Sequence, residues 1–146
     1  MKVSKNLLKA VAMCAKAHQG QFDKSNVPYF FHPLTVAQNA INLGFDDENT
    51  IIVALLHDVA EDTDITIEEM TKEFGDEVGA ALSLLNHDKA VPYMDYVNNL
   101  KDNKIARAVK MADLTHNMDL SRLIEVTEKD LERVEKYKEA YKLLEI

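Results

Sequence analysis

The segment that most restricts the fold of this chain is an unbroken apolar run, Ile51 to Leu56, leading into His57-Asp58-Val59-Ala60-Glu61-Asp62. Six consecutive apolar residues offer no polar face to water, so the run belongs in the interior of whatever forms around it. It delivers an adjacent His-Asp pair to the edge of that interior, and a second acidic pair follows one helical turn later. Burying an unpaired charge is costly enough that such groups pair, neutralise or bind a metal. Four ionisable groups placed there can share one ion and one water, which outlines a metal-assisted hydrolytic centre.

The rest of the chain predicts a single all-α domain over residues 1–146. Gly (4) and Pro (3) are too scarce for a fold with many tight turns. Leu7, Leu8, Val11, Cys14, Ala15 and His18 share one face of a first helix, with Gly20 just beyond it. Residues 21–31 read as a loop. Pro33 suits the first turn of a second helix ending near Gly44. Asp46 is expected to cap a third helix running through Ile51 to Asp58. Thr66 and Glu69 form a capping box for a helix that stops near Gly75, and Asp76 starts another reaching about His87. Helices follow over Tyr93–Leu100 and from Asn103 to about Leu120. Thr127 caps a last one, about 128–144, with Leu131, Val134, Tyr141 and Leu144 as its apolar stripe.

A net charge of −8 argues against a nucleic-acid partner, because such binding rests on neutralising phosphates with Lys and Arg. An anionic small molecule is still compatible, since a metal and a few lysines reverse the sign locally. The single cysteine, Cys14, forms no internal disulfide and reads as a small core residue. With no signal-like or membrane-spanning run, the expected location is the cytoplasm, with no membrane partner. No feature specifies an oligomeric state.

If one helix continues through His57 and Asp58, Glu61 and Asp62 follow them at i,i+4 and all four line one cavity. Two other segments resemble this one in placing ionisable groups among apolar residues. His32 stands in Phe30-Phe31-His32-Pro33-Leu34, and Asp113 stands in Val109-Lys110-Met111-Ala112-Asp113-Leu114, with His116 and Asn117 at i+3 and i+4. His32, His57, Asp58 and Asp113 together form a two-His, two-Asp set that leaves room for water and substrate. His18 reads as core or as support for the site, His116 as support for it, and His87 as a surface or helix-end residue. Met111 and Met118 read as core filling.

The order His, His-Asp, distal Asp resembles the HD metal-dependent phosphohydrolase superfamily. The words Ala17-His18-Gln19-Gly20-Gln21, Pro28-Tyr29-Phe30-Phe31-His32-Pro33-Leu34, Leu55-Leu56-His57-Asp58-Val59-Ala60-Glu61-Asp62-Thr63 and Lys110-Met111-Ala112-Asp113-Leu114-Thr115-His116-Asn117-Met118 are similar to the hydrolase domain of RelA/SpoT enzymes, over about residues 7–123. That resemblance implies an all-helical fold and one Mn²⁺ held by His32, His57, Asp58 and Asp113. It implies release of pyrophosphate from the 3′ position of guanosine 3′,5′-bis(diphosphate). Glu61 and Asp62 would orient and deprotonate the attacking water, with Glu61 favoured as the base, while Lys24 and Asn117 would bind the nucleotide. One position departs from the pattern. Asp23 stands where the family has an arginine that stacks on guanine, and an acid supplies no such planar cation. Two alternatives follow: hydrolysis of a different phosphorylated nucleotide, or a non-catalytic metal or nucleotide sensor.

Overall fold

The computed structural model describes residues 2–145. The apolar run forms helix α3, Glu48–Leu56, in which every residue from Thr50 to Leu56 is buried. Around it lie α1, Lys5–Ala17; α2, Phe31–Asn42; and α6, Asp76–Leu85. The last wall is α8, Lys104–Asn117, which packs on both α2 and α3. A helix with no polar face is thus covered on all sides by amphipathic ones. The short α4, Val59–Asp62, follows α3, and α5, Ile67–Phe74, pairs with α6. Helix α7, Tyr93–Leu100, and the long α9, Glu128–Leu144, close the remaining side, α9 against both α7 and α8.

Side-chain caps set most of the helix starts. Ser4, Asn103 and Thr127 each accept a backbone amide of the helix that follows, and Thr66 with Glu69 forms the expected capping box. Helices α5 and α6 approach so closely that a Cβ on Gly79 would lie 2.1 Å from the Thr71 hydroxyl oxygen. Gly79 is what allows that contact.

Several boundaries differ from the sequence expectation. The cap of α3 is Asp47, whose carboxylate accepts from the Thr50 amide, and not Asp46. The helix does not run through His57 and Asp58. It stops at Leu56, because the His57 ring turns back and donates from Nδ1 to the Ala54 carbonyl at 2.6 Å, and these two residues form a turn before α4. Helix α6 ends at Leu85 rather than His87, and α8 ends at Asn117, leaving Leu120 in a 3₁₀ turn, Leu120–Arg122. Leu8 and Ala15 face solvent on α1, whose buried face is Leu7, Ala10, Cys14 and then His18. Leu131 is exposed on α9, while Val134, Ala140 and Leu144 are buried. Among the described residues there is no strand, only an isolated antiparallel bridge between Phe22 and Pro28.

Candidate metal centre and its two cavities

Three helix ends meet beside the C-terminus of α3. His32 comes from the first turn of α2, His57 and Asp58 from the turn after α3, and Asp113 from the last turn of α8. His32 Nε2 lies 3.0 Å from Asp113 Oδ1 and 3.5 Å from Asp58 Oδ2, and His57 Nε2 lies 3.2 Å from Asp58 Oδ2 and 3.5 Å from Asp113 Oδ1. Nitrogen and oxygen atoms therefore alternate around one small space. An octahedral cation bonded at about 2.1 Å sets neighbouring ligand atoms about 3.0 Å apart, which is the lower end of the spacing seen. His32, His57 and Asp113 alone place ligand atoms within 4.8 Å of one another, and Asp58 adds a fourth along one edge.

The buried atoms of this cluster call for a cation. His57 Nε2 is buried and has no hydrogen-bond partner among the described residues, although two carboxylate oxygens are near it. Its Nδ1 is committed to the Ala54 carbonyl, so a neutral ring turns the Nε2 lone pair toward those carboxylates. His32 is fixed similarly. Its Nδ1 is 2.7 Å from Nδ1 of His116, whose pKa is pushed down to about 4 by burial and by the neighbouring His32. A neutral His116 accepts there, which leaves His32 Nε2 facing Asp113 and Asp58. Without a cation the balance falls to protonation: burial opposes a charge on His57, but Asp58 and Asp113 outweigh it and hold the imidazole well above its ordinary range. A divalent ion relieves the same conflict directly, and the mixed nitrogen and oxygen donor set fits one.

The carboxylates are braced from behind. Burial raises Asp113, but the Lys110 ammonium, 3.1 Å from Oδ2, and His32 keep it well below the usual carboxylate range. Lys110 is itself buried, with Nζ 5.2 Å from the centroid of Tyr96 and 5.6 Å from that of Tyr93. Asn117 Nδ2 donates to Asp113 Oδ1 at 3.2 Å. Tyr29 donates its hydroxyl to Asp58 Oδ2 at 2.5 Å; burial opposes ionisation of Asp58, yet His57 brings that carboxyl down to about 2.

Asp58 and Asp113 stand in the wall between two cavities. The wider, about 390 Å³, is bounded by His32 and Asn117 at its floor and by Lys24, Arg122 and Arg133 nearer its mouth. The narrower, about 140 Å³, contains His57, Glu61, His87 and Lys110. Glu61 is held there by the His87 amide, which donates to Oε1 at 2.9 Å. Asp62 lines neither cavity; burial, then the charges of Asp58 and Glu61, raise its carboxyl. The structure thus brings His32, His57, Asp58, Asp113, Glu61, Lys24 and Asn117 to one site, with Asp62 beside it.

Other residues of this site, Lys110 apart, have no mark in the sequence. His87, expected at the surface or a helix end, lies just past α6, stacks on Tyr96 at 4.3 Å between centroids and donates from its backbone to Glu61. Arg122 and Arg133 reach the wide cavity from segments that read as ordinary solvated chain. Lys110 did carry a signal, a lysine one helical turn before an acid inside an apolar helix. His18 is buried as expected, 2.9 Å from the Gln21 side chain and packed on the Tyr29 ring.

Fold and cluster define a class: an all-helical protein with a two-histidine, two-aspartate site suited to a divalent cation. The chain belongs to the HD domain family, whose model matches residues 10–121. It is 40% identical over 124 residues to a protein of Myxococcus xanthus named GTP pyrophosphokinase, an alignment covering 75% of this chain and 16% of that protein. It is 35% identical over 113 residues to a guanosine-3′,5′-bis(diphosphate) 3′-pyrophosphohydrolase of Haemophilus influenzae, covering 70% of this chain and 16% of that one. The chain therefore spans about one sixth of the length of these relatives. A solved structure described as a metazoan ortholog of SpoT that hydrolyzes ppGpp superposes with a TM-score of 0.80 at 24% identity, covering 99% of this chain and 88% of that one, and establishes the fold. Among the described residues no helix is long and apolar enough to cross a membrane.

Proposed function

We propose that this chain is a Mn²⁺-dependent hydrolase that releases pyrophosphate from the 3′ position of guanosine 3′,5′-bis(diphosphate). The observation that carries this reading is the His32, His57, Asp58 and Asp113 cluster, set in the wall between a wide cavity, whose rim carries Lys24, Arg122 and Arg133 beside Asp23, Asp119 and Asp130, and a narrow one holding Glu61. Relatives whose names describe this reaction support the substrate.

In this reading the four cluster residues hold the ion, which when bound lowers the pKa of water and polarises a phosphoryl oxygen. The nucleotide enters the wide cavity, with Lys24 meeting a phosphate as a point charge and Asn117 holding the ribose side. The attacking water approaches from the narrow cavity. Glu61 accepts its proton from there, while the His87 amide keeps the carboxylate aimed. The water oxygen bonds to the phosphorus next to the ribose, the bond from that phosphorus to the 3′ oxygen breaks, and the 3′ oxygen leaves with a proton. One substrate and one water thus give GDP and pyrophosphate. Asp62, expected to orient the water, lines neither cavity and instead places a second negative charge beside Glu61.

The test is a turnover assay of Mn²⁺-loaded protein on ppGpp that resolves GDP from pyrophosphate, with Asp58→Ala as control. Equal amounts of both products, absent in the variant, are expected. Release of single phosphates, or no turnover with metal bound, overturns the reading. One observation favours a second reading, hydrolysis of another phosphorylated nucleotide. Asp23 Oδ1 accepts from the amides of Ser25 and Val27, so the position where the family stacks an arginine on guanine is occupied with holding a turn.

A further inference from the structure

One residue of the wide cavity has no part in this chemistry. Phe22 is 59% exposed, yet its side chain helps form the cavity mouth. Its backbone is firmly held. Phe22 bridges to Pro28, the Tyr29 amide donates to the Gln21 carbonyl at 2.8 Å, and the Asp23 amide donates to the Val27 carbonyl at 2.9 Å. Asn26 takes a left-handed conformation at the tip (φ 61°), and the Ser25 hydroxyl ties the loop to the Arg122 carbonyl at 3.0 Å. A large apolar ring is therefore presented to solvent by a braced turn rather than by a loose one.

The other two rings of this cavity are already engaged. Tyr29 packs between His18 and His32 and gives its hydroxyl to Asp58, and Tyr137 packs on Tyr93 and lies near the Lys136 ammonium. Phe22 pairs with no other ring among the described residues. The same mouth carries Leu120 and Leu123 beside Lys24 and Arg122, neither of which forms a salt bridge among the described residues. Asp23, Asp119 and Asp130 line the mouth as well, Asp130 paired with Arg133, so the flat apolar face and the two cations outside any salt bridge are what match a ligand with a flat apolar part and phosphates. The cavity's volume falls within the range of small-molecule sites.

We propose that Phe22 is the platform on which the nucleobase of the substrate stacks, and that the site accepts adenine as well as guanine. The base tolerance follows from the chemistry of the contact. Every base has a π face, so an aromatic platform discriminates little, whereas selection of guanine requires hydrogen bonds to its edge. Of the rim carboxylates, Asp23 has one oxygen occupied by two amides of its own turn, Asp119 accepts from Ser121, and Asp130 is taken up by Thr127 and Arg133. This inference rests on the nucleotide hydrolase reading for its substrate but is tested separately from it.

The chain contains no tryptophan, so Phe22→Trp introduces a single indole at the mouth. Its fluorescence is followed while GDP, ADP or inorganic pyrophosphate is added to the Mg²⁺-loaded variant. Saturable quenching by both nucleotides at concentrations within about threefold of each other, and none by pyrophosphate, is expected. In parallel, Phe22→Ala should raise KM for ppGpp about tenfold, the loss of one stacking contact, with kcat unchanged, and Phe22→Tyr should restore it. Quenching by neither nucleotide, or an unchanged KM in Phe22→Ala, overturns the platform. Quenching by GDP alone overturns the base tolerance. If quenching by both nucleotides persists while wild-type protein fails to turn over ppGpp, the platform stands and the pyrophosphohydrolase reading falls.

Discussion

The floor and the mouth of the wide cavity are built in opposite ways. At the floor, each chemical group comes from the end of a regular helix, is largely buried, and has a second partner behind it: His116 behind His32, the Ala54 carbonyl behind His57, Tyr29 on Asp58, Lys110 and Asn117 on Asp113. At the mouth, the groups come from the loop between α1 and α2, the 3₁₀ turn and the first turns of α9, and they are exposed or half-buried at their ends. The difference teaches where change is cheap. Altering a floor residue leaves a buried partner unsatisfied, whereas altering a rim residue exchanges one solvated side chain for another. Substitutions at the rim should therefore alter ligand choice at a smaller cost in stability than substitutions at the floor.

The contrast can be broken most decisively at Glu61. Glu61→Gln keeps the size and the bond from the His87 amide but removes the proton acceptor. kcat for pyrophosphate release should fall by roughly 10²–10⁴ with little change in KM. A drop under tenfold would move the base elsewhere. Next is Lys110→Met, which deletes a buried cation and strands the Asp113 carboxylate. Breaking a buried pair in this way costs about 3–5 kcal/mol, read as a lower urea midpoint, and Lys110→Arg should recover part of it.

The rim should respond more mildly. Lys24→Ala is expected to raise KM about fivefold at unchanged kcat, in keeping with about 1 kcal/mol for an exposed charge contact, and the effect should shrink with added salt. A loss in kcat would place Lys24 with the floor. The smallest effect belongs to Cys14. Burial, helped by the Asp58 charge, pushes its thiol up to about 12 from an ordinary 9. The unfolded chain therefore ionises first, so the contribution of Cys14 to stability is complete below pH 9 and declines between 9 and 12. Native protein at pH 8 should react with a disulfide reagent only as fast as it unfolds, and immediate labelling would contradict the burial.

The same contrast governs what the sequence makes legible. The all-α fold could be read from periodicity and caps, because α5 and α9 announce themselves by Thr66-Glu69 and Thr127-Asp130. His32, His57, Asp58 and Asp113 could be singled out because each interrupts an apolar stretch. The break after Leu56 could not, since it depends on one ring nitrogen meeting one carbonyl of its own chain. Nor could His87 or Arg133, whose neighbours in space are far away in sequence and whose local setting is that of solvated chain. Phe22 falls within residues 21–31, which read only as a loop, and nothing in that stretch marks an exposed ring at a cavity mouth.

The meeting of α2, α3 and α8 at a single ligand cluster has a consequence for the whole chain. His32 and Asp113 are 81 positions apart, so an ion held between them closes most of the polypeptide into loops as a covalent cross-link would. Its bonds exist only in the folded arrangement, and the free energy of binding is then shared with folding. The melting temperature should therefore climb with the logarithm of free metal concentration, so that the metal supply of the surroundings sets how long the folded protein survives.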